Sequence, residues 1–196
     1  MYIPKEEQVM KLKTRDMILV ALFAALTAIG AFLKIPTPIV PFTLQFLFCA
    51  FAGIFLGSRL GLYSQLLYVG IGLAGVPVFT KGGGLTYVLE PTFGYLIGFI
   101  LCAWMIGKLT ENLKTVTFGN LFPRVLAGLA IVYLFGVTHL YLIVNLYMGK
   151  AMPVSGAIAA GFTPYILSDL ILSGVVAFTA TMVVPALRRA GYVGIR

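Results

Sequence analysis

The stretch Met17-Ile18-Leu19-Val20-Ala21-Leu22-Phe23-Ala24-Ala25-Leu26-Thr27-Ala28-Ile29-Gly30-Ala31-Phe32-Leu33 decides the fold. It carries no charge, and as an α-helix rising about 1.5 Å per residue it covers most of a hydrocarbon layer about 30 Å thick. Lys11, Lys13 and Arg15 stand just ahead of it, an outline shared with secretory signal peptides. The run is long for a signal, however, and five further apolar segments follow it, so it reads as a first membrane span that is retained.

The composition extends this reading to the whole chain. Of 196 residues, 60% are hydrophobic and 10% charged, where a soluble domain carries roughly 25% charged residues. At roughly 20 residues per span, a chain of this length has room for about six crossings. The expected architecture is all-α, a bundle of six transmembrane helices forming one integral membrane domain over residues 1–196. Spans are placed at 16–34, 42–57, 59–74, 92–108, 123–148 and 164–187. The third is short and interrupted by Gly70, Gly72 and Gly75, and backbone that leaves a helix at membrane depth must be buried in protein or line a cavity.

Charge sets the orientation. Lys5, Lys11, Lys13, Arg15, Arg59, Lys108, Lys114, Arg124, Arg188, Arg189 and Arg196 fall on one side of such a bundle, against Lys34, Lys81 and Lys150 on the other. By the positive-inside rule an eleven-to-three split puts both termini in the cytoplasm. The net charge of +8 is therefore a topology signal, because these residues sit between apolar runs and form no basic face for nucleic acid. Cys49 and Cys102 lie within apolar stretches without metal-ligand spacing and read as small buried residues. Phosphate loops, nucleophile elbows, His-Glu-x-x-His motifs and paired intramembrane carboxylates are all lacking, so the chain has no energy source of its own and is not read as an enzyme.

The outer connections hold the chemical information. Ile35-Pro36-Thr37-Pro38-Ile39-Val40-Pro41-Phe42-Thr43 is stiffened by three prolines, and Gly82-Gly83-Gly84 lies among aromatics between Val76 and Pro91, which suits backbone folded closely over something. Ionisable groups within spans are functional candidates by default. Asp169 is the foremost, because Thr163-Pro164 reads as an N-cap followed by proline at the first helical position, which sets the carboxylate about 7.5 Å inward from the outer end of span six. A carboxylate at that depth needs donors, from a ligand or from a neighbouring helix. Glu90 and Lys81 share the long loop and can pair with each other. Gln45 and Asn145 read equally as ligand contacts or as interhelical ties. His139 has no second His or Cys at ligand spacing and reads as a neutral side chain bonded to another segment. Phe79, Tyr87, Phe93 and Tyr95 cluster at the outer end of span four, as the aromatic wall of a small-molecule pocket would. On span one, Ala21 with Ala25 and Ala24 with Ala28 form two small-xxx-small pairs, a stripe that lets another helix approach closely. Gly53, Gly57 and Gly61, and Gly94 with Gly98, repeat that spacing, which leaves internal packing and a partner surface both open.

Three strings carry a resemblance: Pro36-Thr37-Pro38 with Val40-Pro41-Phe42-Thr43-Leu44-Gln45, then Gly75-Val76-Pro77-Val78-Phe79, then Pro91-Thr92-x-Gly94-Tyr95-Leu96-x-Gly98-Phe99. With Asp169-Leu170-Ile171, they make the chain resemble the biotin-specific S subunit (BioY type) of energy-coupling-factor transporters. The resemblance implies a six-helix fold in the cell membrane and vitamin binding beneath the outer loops. It also implies docking to a transmembrane coupling subunit driven by two cytoplasmic ATPases, so that ATP is consumed by partners and no cofactor belongs to this chain. Joined to the reading of the residues, it makes Thr43, Gln45, Phe79, Tyr87, Glu90, Thr92, Tyr95, Asn145 and Asp169 the candidate ligand contacts, and Ala21, Ala24, Ala25 and Ala28 the candidate docking stripe. The family's lysine three positions after the aspartate is Leu172 here, Ser168 replaces the preceding glycine, and Glu90 stands where Gly-Pro-Thr is usual. A ligand carboxylate would then need another cation, such as Lys81, or the ligand is a neutral or differently charged relative of biotin. A different small vitamin and a stand-alone secondary carrier are the alternatives. An intramembrane enzyme would have only Asp169 and His139 to work with.

Overall fold

The structure is a computed structural model that describes residues 13–36 and 39–191. Thr37 and Pro38 of the proline segment, and Lys5, Lys11 and Arg196 of the charge tally, lie outside the described residues. The helices are α1 (Thr14–Phe32), α2 (Gln45–Leu73), α3 (Phe93–Thr110), α4 (Phe118–Leu142, prolonged by a π turn Ile143–Tyr147), α5 (Val154–Gly161) and α6 (Ile166–Arg189). A two-residue antiparallel pair, β1 (Lys34–Ile35) with β2 (Phe42–Thr43), closes the connection between α1 and α2. A 3₁₀ turn at Leu85–Leu89 lies before α3. Among the described residues, five helices are long and apolar enough to cross a membrane: α1, α2, α3, α4 with its π turn, and α6.

Spans two and three, expected as separate helices joined by a connection bearing Arg59, are the two halves of α2, two helices that meet at a break at Gly57. Gly57 has φ 80° and ψ −178°, a conformation that a side chain would strain. On a straight helix Gln45 and Tyr68 would stand about 34 Å apart, yet the Gln45 Nε2 donates to the Tyr68 hydroxyl at 2.8 Å. A Cβ on Gly61 would likewise sit 3.1 Å from the Ala52 carbonyl. The two halves therefore run antiparallel and in contact. Gly70 and Gly72, expected to interrupt the third span, lie within regular helix. A Cβ on Gly72 would fall 2.0 Å from the Phe79 ring, so this glycine makes room for the loop above it. The expected N-cap at Thr163-Pro164 is also displaced. Helix α6 starts at Ile166, and Thr163 and Pro164 belong to the turn after α5, with the Thr163 hydroxyl directed back to the Ile158 carbonyl. Helix α5 was not anticipated, because eight residues are too few to cross a bilayer and so do not register as a span.

Small residues bring the helices together. A Cβ on Gly53 would lie 2.6 Å from the Ala103 carbonyl and one on Gly107 2.4 Å from the Ser58 nitrogen, which locks α2 to α3. On the other side of α3, a Cβ on Gly94 would meet His139 at 2.2 Å and one on Gly98 would meet Val132 at 2.7 Å. The glycine repeats of α2 and α3 thus serve internal packing. Buried polar groups add ties, as where Gln65 donates to Thr27 of α1 at 3.1 Å. The outside is apolar: Ile18, Leu134, Ile171 and Met182 are each more than 60% exposed, as suits a surface solvated by lipid.

Gly53→Val is expected to destabilise the purified protein by about 1–3 kcal/mol, because the added atoms meet the α3 backbone at Ala103 and Gly107 and the Ile106 Cβ, none of which can swing aside. Gly70→Ala, at a helical position with nothing within 4 Å, should leave stability unchanged or raise it by up to about 1 kcal/mol. Unfolding temperatures in a single detergent compare the two, and equal losses would contradict this packing.

Candidate ligand-binding site

A cavity with about 620 Å³ of atom-free space, counted out to its open side, lies between the helix starts and the two loops that sequence reading singled out. The proline segment contributes Val40, Pro41, Phe42 and Thr43, and the long loop contributes Thr80, Tyr87 and Thr92. Gln45 and Phe46 open α2, Tyr95, Leu96 and Phe99 come from the first turns of α3, and Tyr165 and Asp169 come from the start of α6. Leu129, Val132 and Tyr133 of α4 complete the lining. Three helix N-termini therefore face one space, and each carries a partial positive charge of about half a unit from its unpaired N–H groups. Among the described residues, Asp169 is the only charged side chain in the lining.

Asp169 is 9% exposed, and a carboxylate so buried requires donors. The Tyr133 hydroxyl donates to its Oδ2. Tyr133 is itself seated edge-on against Phe162, with ring centroids 4.7 Å apart, so the aspartate is oriented from a neighbouring helix. Ser173, one turn on, turns its hydroxyl to the Asp169 carbonyl at 2.7 Å. Two further phenols in the lining are committed to backbone: Tyr95 donates to the Gly161 carbonyl at 2.7 Å, and Tyr165 to the Val40 carbonyl. Tyr165 thereby ties the start of α6 to the proline segment across the cavity. At the opposite wall the Thr43 hydroxyl donates to Gln45 Oε1 at 3.0 Å, and the Gln45 amide reaches Tyr68, whose hydroxyl donates to the Val78 carbonyl at 3.1 Å.

The long loop is fixed over the cavity. Gly84 N–H donates to the Gly72 carbonyl at 2.7 Å, and the Tyr87 hydroxyl bridges Thr80 at 3.0 Å and Thr92 at 3.1 Å. The Lys34 ammonium, from the β pair, donates to the Thr80 carbonyl. The glycine triplet folds upon its own loop: a Cβ on Gly83 would lie 2.3 Å from the Val76 carbonyl.

Of the nine candidate contacts, Thr43, Gln45, Tyr87, Thr92, Tyr95 and Asp169 line the cavity, and three do not. Phe79 stands one layer behind, packed edge-on against Tyr68 at 5.5 Å and against Tyr87 at 4.5 Å. Glu90 pairs with Lys81 at 3.0 Å on the surface, and its carbonyl meets His139 Nε2 at 3.2 Å. Asn145 is a backbone clamp, donating to the Tyr141 and Met152 carbonyls at 2.9 and 3.1 Å and accepting from the Met152 N–H at 3.0 Å. Sequence reading missed Thr80, Tyr133 and Tyr165. The signal available for Tyr133 was a phenol in mid-span, away from either interface, which needs a polar partner when buried. Leu172 packs against the core. On α1, Ala21 and Ala25 face outward, whereas Ala24 is 4% exposed and Ala28 is half-buried, both against the core.

The family model described as the BioY family matches residues 5–189. A probable biotin transporter BioY of Lysinibacillus sphaericus is 48% identical over 160 residues, 82% of each chain. The biotin transporter BioY of Thermotoga maritima is 38% identical, over 85% of this chain and 94% of that one. Among solved structures, a crystal structure of the S-component for biotin from an ECF-type ABC transporter matches with a TM-score of 0.76 at 24% identity. That match covers 86% of this chain and 90% of the other, and it establishes a common membrane fold.

Asn145→Ala removes two hydrogen bonds that hold the π turn to the segment before α5 and a third to the Tyr141 carbonyl of α4, and it should cost about 1–3 kcal/mol in stability. The cavity lining is untouched by this change. A lowered unfolding temperature with unaltered ligand affinity is expected, and the reverse pattern would return Asn145 to the ligand site.

Proposed function

The chain belongs to the BioY family, and from that premise we propose that it is the substrate-capture subunit of an ATP-driven importer of the energy-coupling-factor type, taking up biotin from the outer side of the cell membrane. The observation that carries the proposal is the cavity with a single buried carboxylate oriented by Tyr133. Biotin offers two ureido N–H donors at one end, an apolar bicycle and chain, and a carboxylate at the other end. Asp169 accepts from the ureido N–H groups, with Gln45 and Thr43 orienting the ring, and Tyr87, Tyr95 and Phe99 wall the apolar part. This chain acts as a binding subunit rather than an enzyme.

The ligand carboxylate is assigned to Lys34 at the cavity mouth. Leu172 cannot serve, and Lys81 is engaged by Glu90. The bond from Lys34 to Thr80, itself a lining residue, supports this assignment, and the three helix N-termini add to the attraction for an anion. In the membrane, the proposal counts the two halves of α2 as separate crossings, giving six, with both termini cytoplasmic. A transmembrane coupling subunit docks on α1 along Ala21 and Ala25, the outward members of the stripe, and two cytoplasmic ATPases supply the energy.

Radiolabelled biotin should bind the purified chain in detergent. Asp169→Asn should weaken binding about 10- to 100-fold, the worth of a hydrogen bond to a charged group. Lys34→Met should weaken biotin about tenfold and leave biotin amide unchanged. Absence of biotin binding alongside retained binding of another vitamin would overturn the ligand and leave the family standing.

Ala21→Trp with Ala25→Trp should abolish copurification with the coupling subunit while biotin binding persists. Intact assembly in that variant would move the docking surface elsewhere.

A further inference from the structure

The helix contacts give the cavity a depth. A Cβ on Gly94 would meet the His139 Cβ at 2.2 Å and one on Gly98 would meet the Val132 Cα at 2.7 Å, so His139 stands level with the start of α3 and Val132 a turn below it. Tyr133, which holds Asp169, precedes His139 on α4 and lies about 9 Å further from the loops at the helical rise. Its ring leans further still in that direction, because helical side chains point toward their own N-terminus. The loop layer is at the level of His139: the Tyr87 hydroxyl joins Thr80 to Thr92, the residue ahead of α3, and the Glu90 carbonyl meets His139 Nε2 at 3.2 Å. Asp169 is therefore seated about 9 Å or more beneath the two threonines.

Biotin measures about 10 Å from its ureido nitrogens to its carboxyl carbon, counted in bonds near 1.5 Å. With the ureido group on Asp169, the carboxyl arrives between Thr80 and Thr92 and emerges from the body of the cavity. Among the described residues, the lining at that level offers it no cation. What stands there is exposed charge on residues adjoining the lining threonines. Lys81 follows Thr80, Glu90 closely precedes Thr92, and the two are paired at 3.0 Å with side chains 45% and 37% exposed. Lys34 reaches the Thr80 carbonyl from the β pair. For free biotin the Glu90 carboxylate is unfavourable, because it sits beside the place where the ligand's own negative charge arrives. For a ligand that ends in charges of both signs it is a partner.

Resting on the biotin reading of this site, we propose that its substrate class extends to biotin joined through its carboxyl to an amino acid, as in biotinyl-lysine. The neutral amide takes the place of the carboxylate at the threonine layer, and the tail continues outward over the rim. There the α-ammonium pairs with Glu90 and the α-carboxylate with Lys81, so the two rim charges exchange each other for those of the ligand. Both are exposed, so the exchange moves no charge out of water.

The test is competition against radiolabelled biotin on the full chain in detergent, using biotin, biotinyl-lysine and N-butylbiotinamide, which has the tail without its charges. Biotinyl-lysine is expected to compete within about tenfold of biotin. It should compete about two- to fivefold better than N-butylbiotinamide, the range of an exposed ion pair. Glu90→Gln, a surface change that keeps the backbone bond to His139, should bring the two amides to within about 1.5-fold of each other. Biotinyl-lysine more than about tenfold weaker than biotin would show a mouth closed around the carboxylate and would overturn the proposal. Equal competition by the two amides in the wild type, or an advantage that survives Glu90→Gln, would also overturn it. Failure of radiolabelled biotin itself to bind is a separate result, which would overturn the function on which the proposal rests and the proposal with it.

Discussion

The close approach of α3 to α2 on one side and to α4 on the other is the constraint on which the rest of the structure depends. In lipid the helices gain nothing from excluding water, so association relies on packing and on the few hydrogen bonds available. Gly53 and Gly107 let α2 and α3 meet backbone to backbone, and Gly94 and Gly98 do the same for α3 and α4. Helix α3 is thereby held at the centre of the bundle, and its first turns carry Tyr95, Leu96 and Phe99 into the cavity. A cavity in such a bundle must be made by something other than loose packing. Here it arises where the helices end and the loops arch over them.

The polar groups of the cavity form ties between separate segments more than a free set of ligand contacts. Tyr133 links α4 to α6 through Asp169, Tyr165 links α6 to the proline segment, and Tyr87 links the two ends of the long loop through Thr80 and Thr92. Each tie satisfies a buried donor or acceptor that would otherwise cost about 1–3 kcal/mol. The consequence is a shape set before any ligand arrives, since the side chains that could contact a ligand are already oriented by their neighbours. Such preorganisation lowers the entropic cost of binding.

What was legible in the sequence was what hydropathy and proline or glycine punctuation encode. The spans, the two informative loops and the intramembrane Asp169 all follow from the absence of charge elsewhere, and the family strings mark where the chain forms the cavity. Less legible were features that depend on which residue meets which across the bundle. Arg59 marked the break between spans two and three, and the structure has it there, but that a single residue of positive φ, Gly57, makes the turn is beyond the resolution of hydropathy. Asn145 looked like a ligand contact because its side chain can both donate and accept, and it spends both capacities on backbone at Tyr141 and Met152. Tyr133 went unremarked because one phenol in an apolar run differs little from phenylalanine until its partner 36 residues away is known. The small-residue stripes looked equivalent by spacing. Burial separates them, since the glycines of α2 and α3 face neighbours within the bundle and Ala21 and Ala25 face outward.

The two ends of the bundle attract negative charge by different physical means. At the end with the ligand cavity, the N-termini of α2, α3 and α6 converge, and the nearby lysines remain outside the lining: Lys34 on Thr80 and Lys81 on Glu90. At the other end, cations stand at the starts of helices as well as at their ends. Lys108 and Arg188 lie in the last turns of α3 and α6, where the helix dipole favours them. Lys13, Arg15 and Arg59 lie at helix starts, where the dipole opposes them, so local helix energetics do not account for these three. Glu111 answers part of that field by capping the start of the second half of α2 through Ser58.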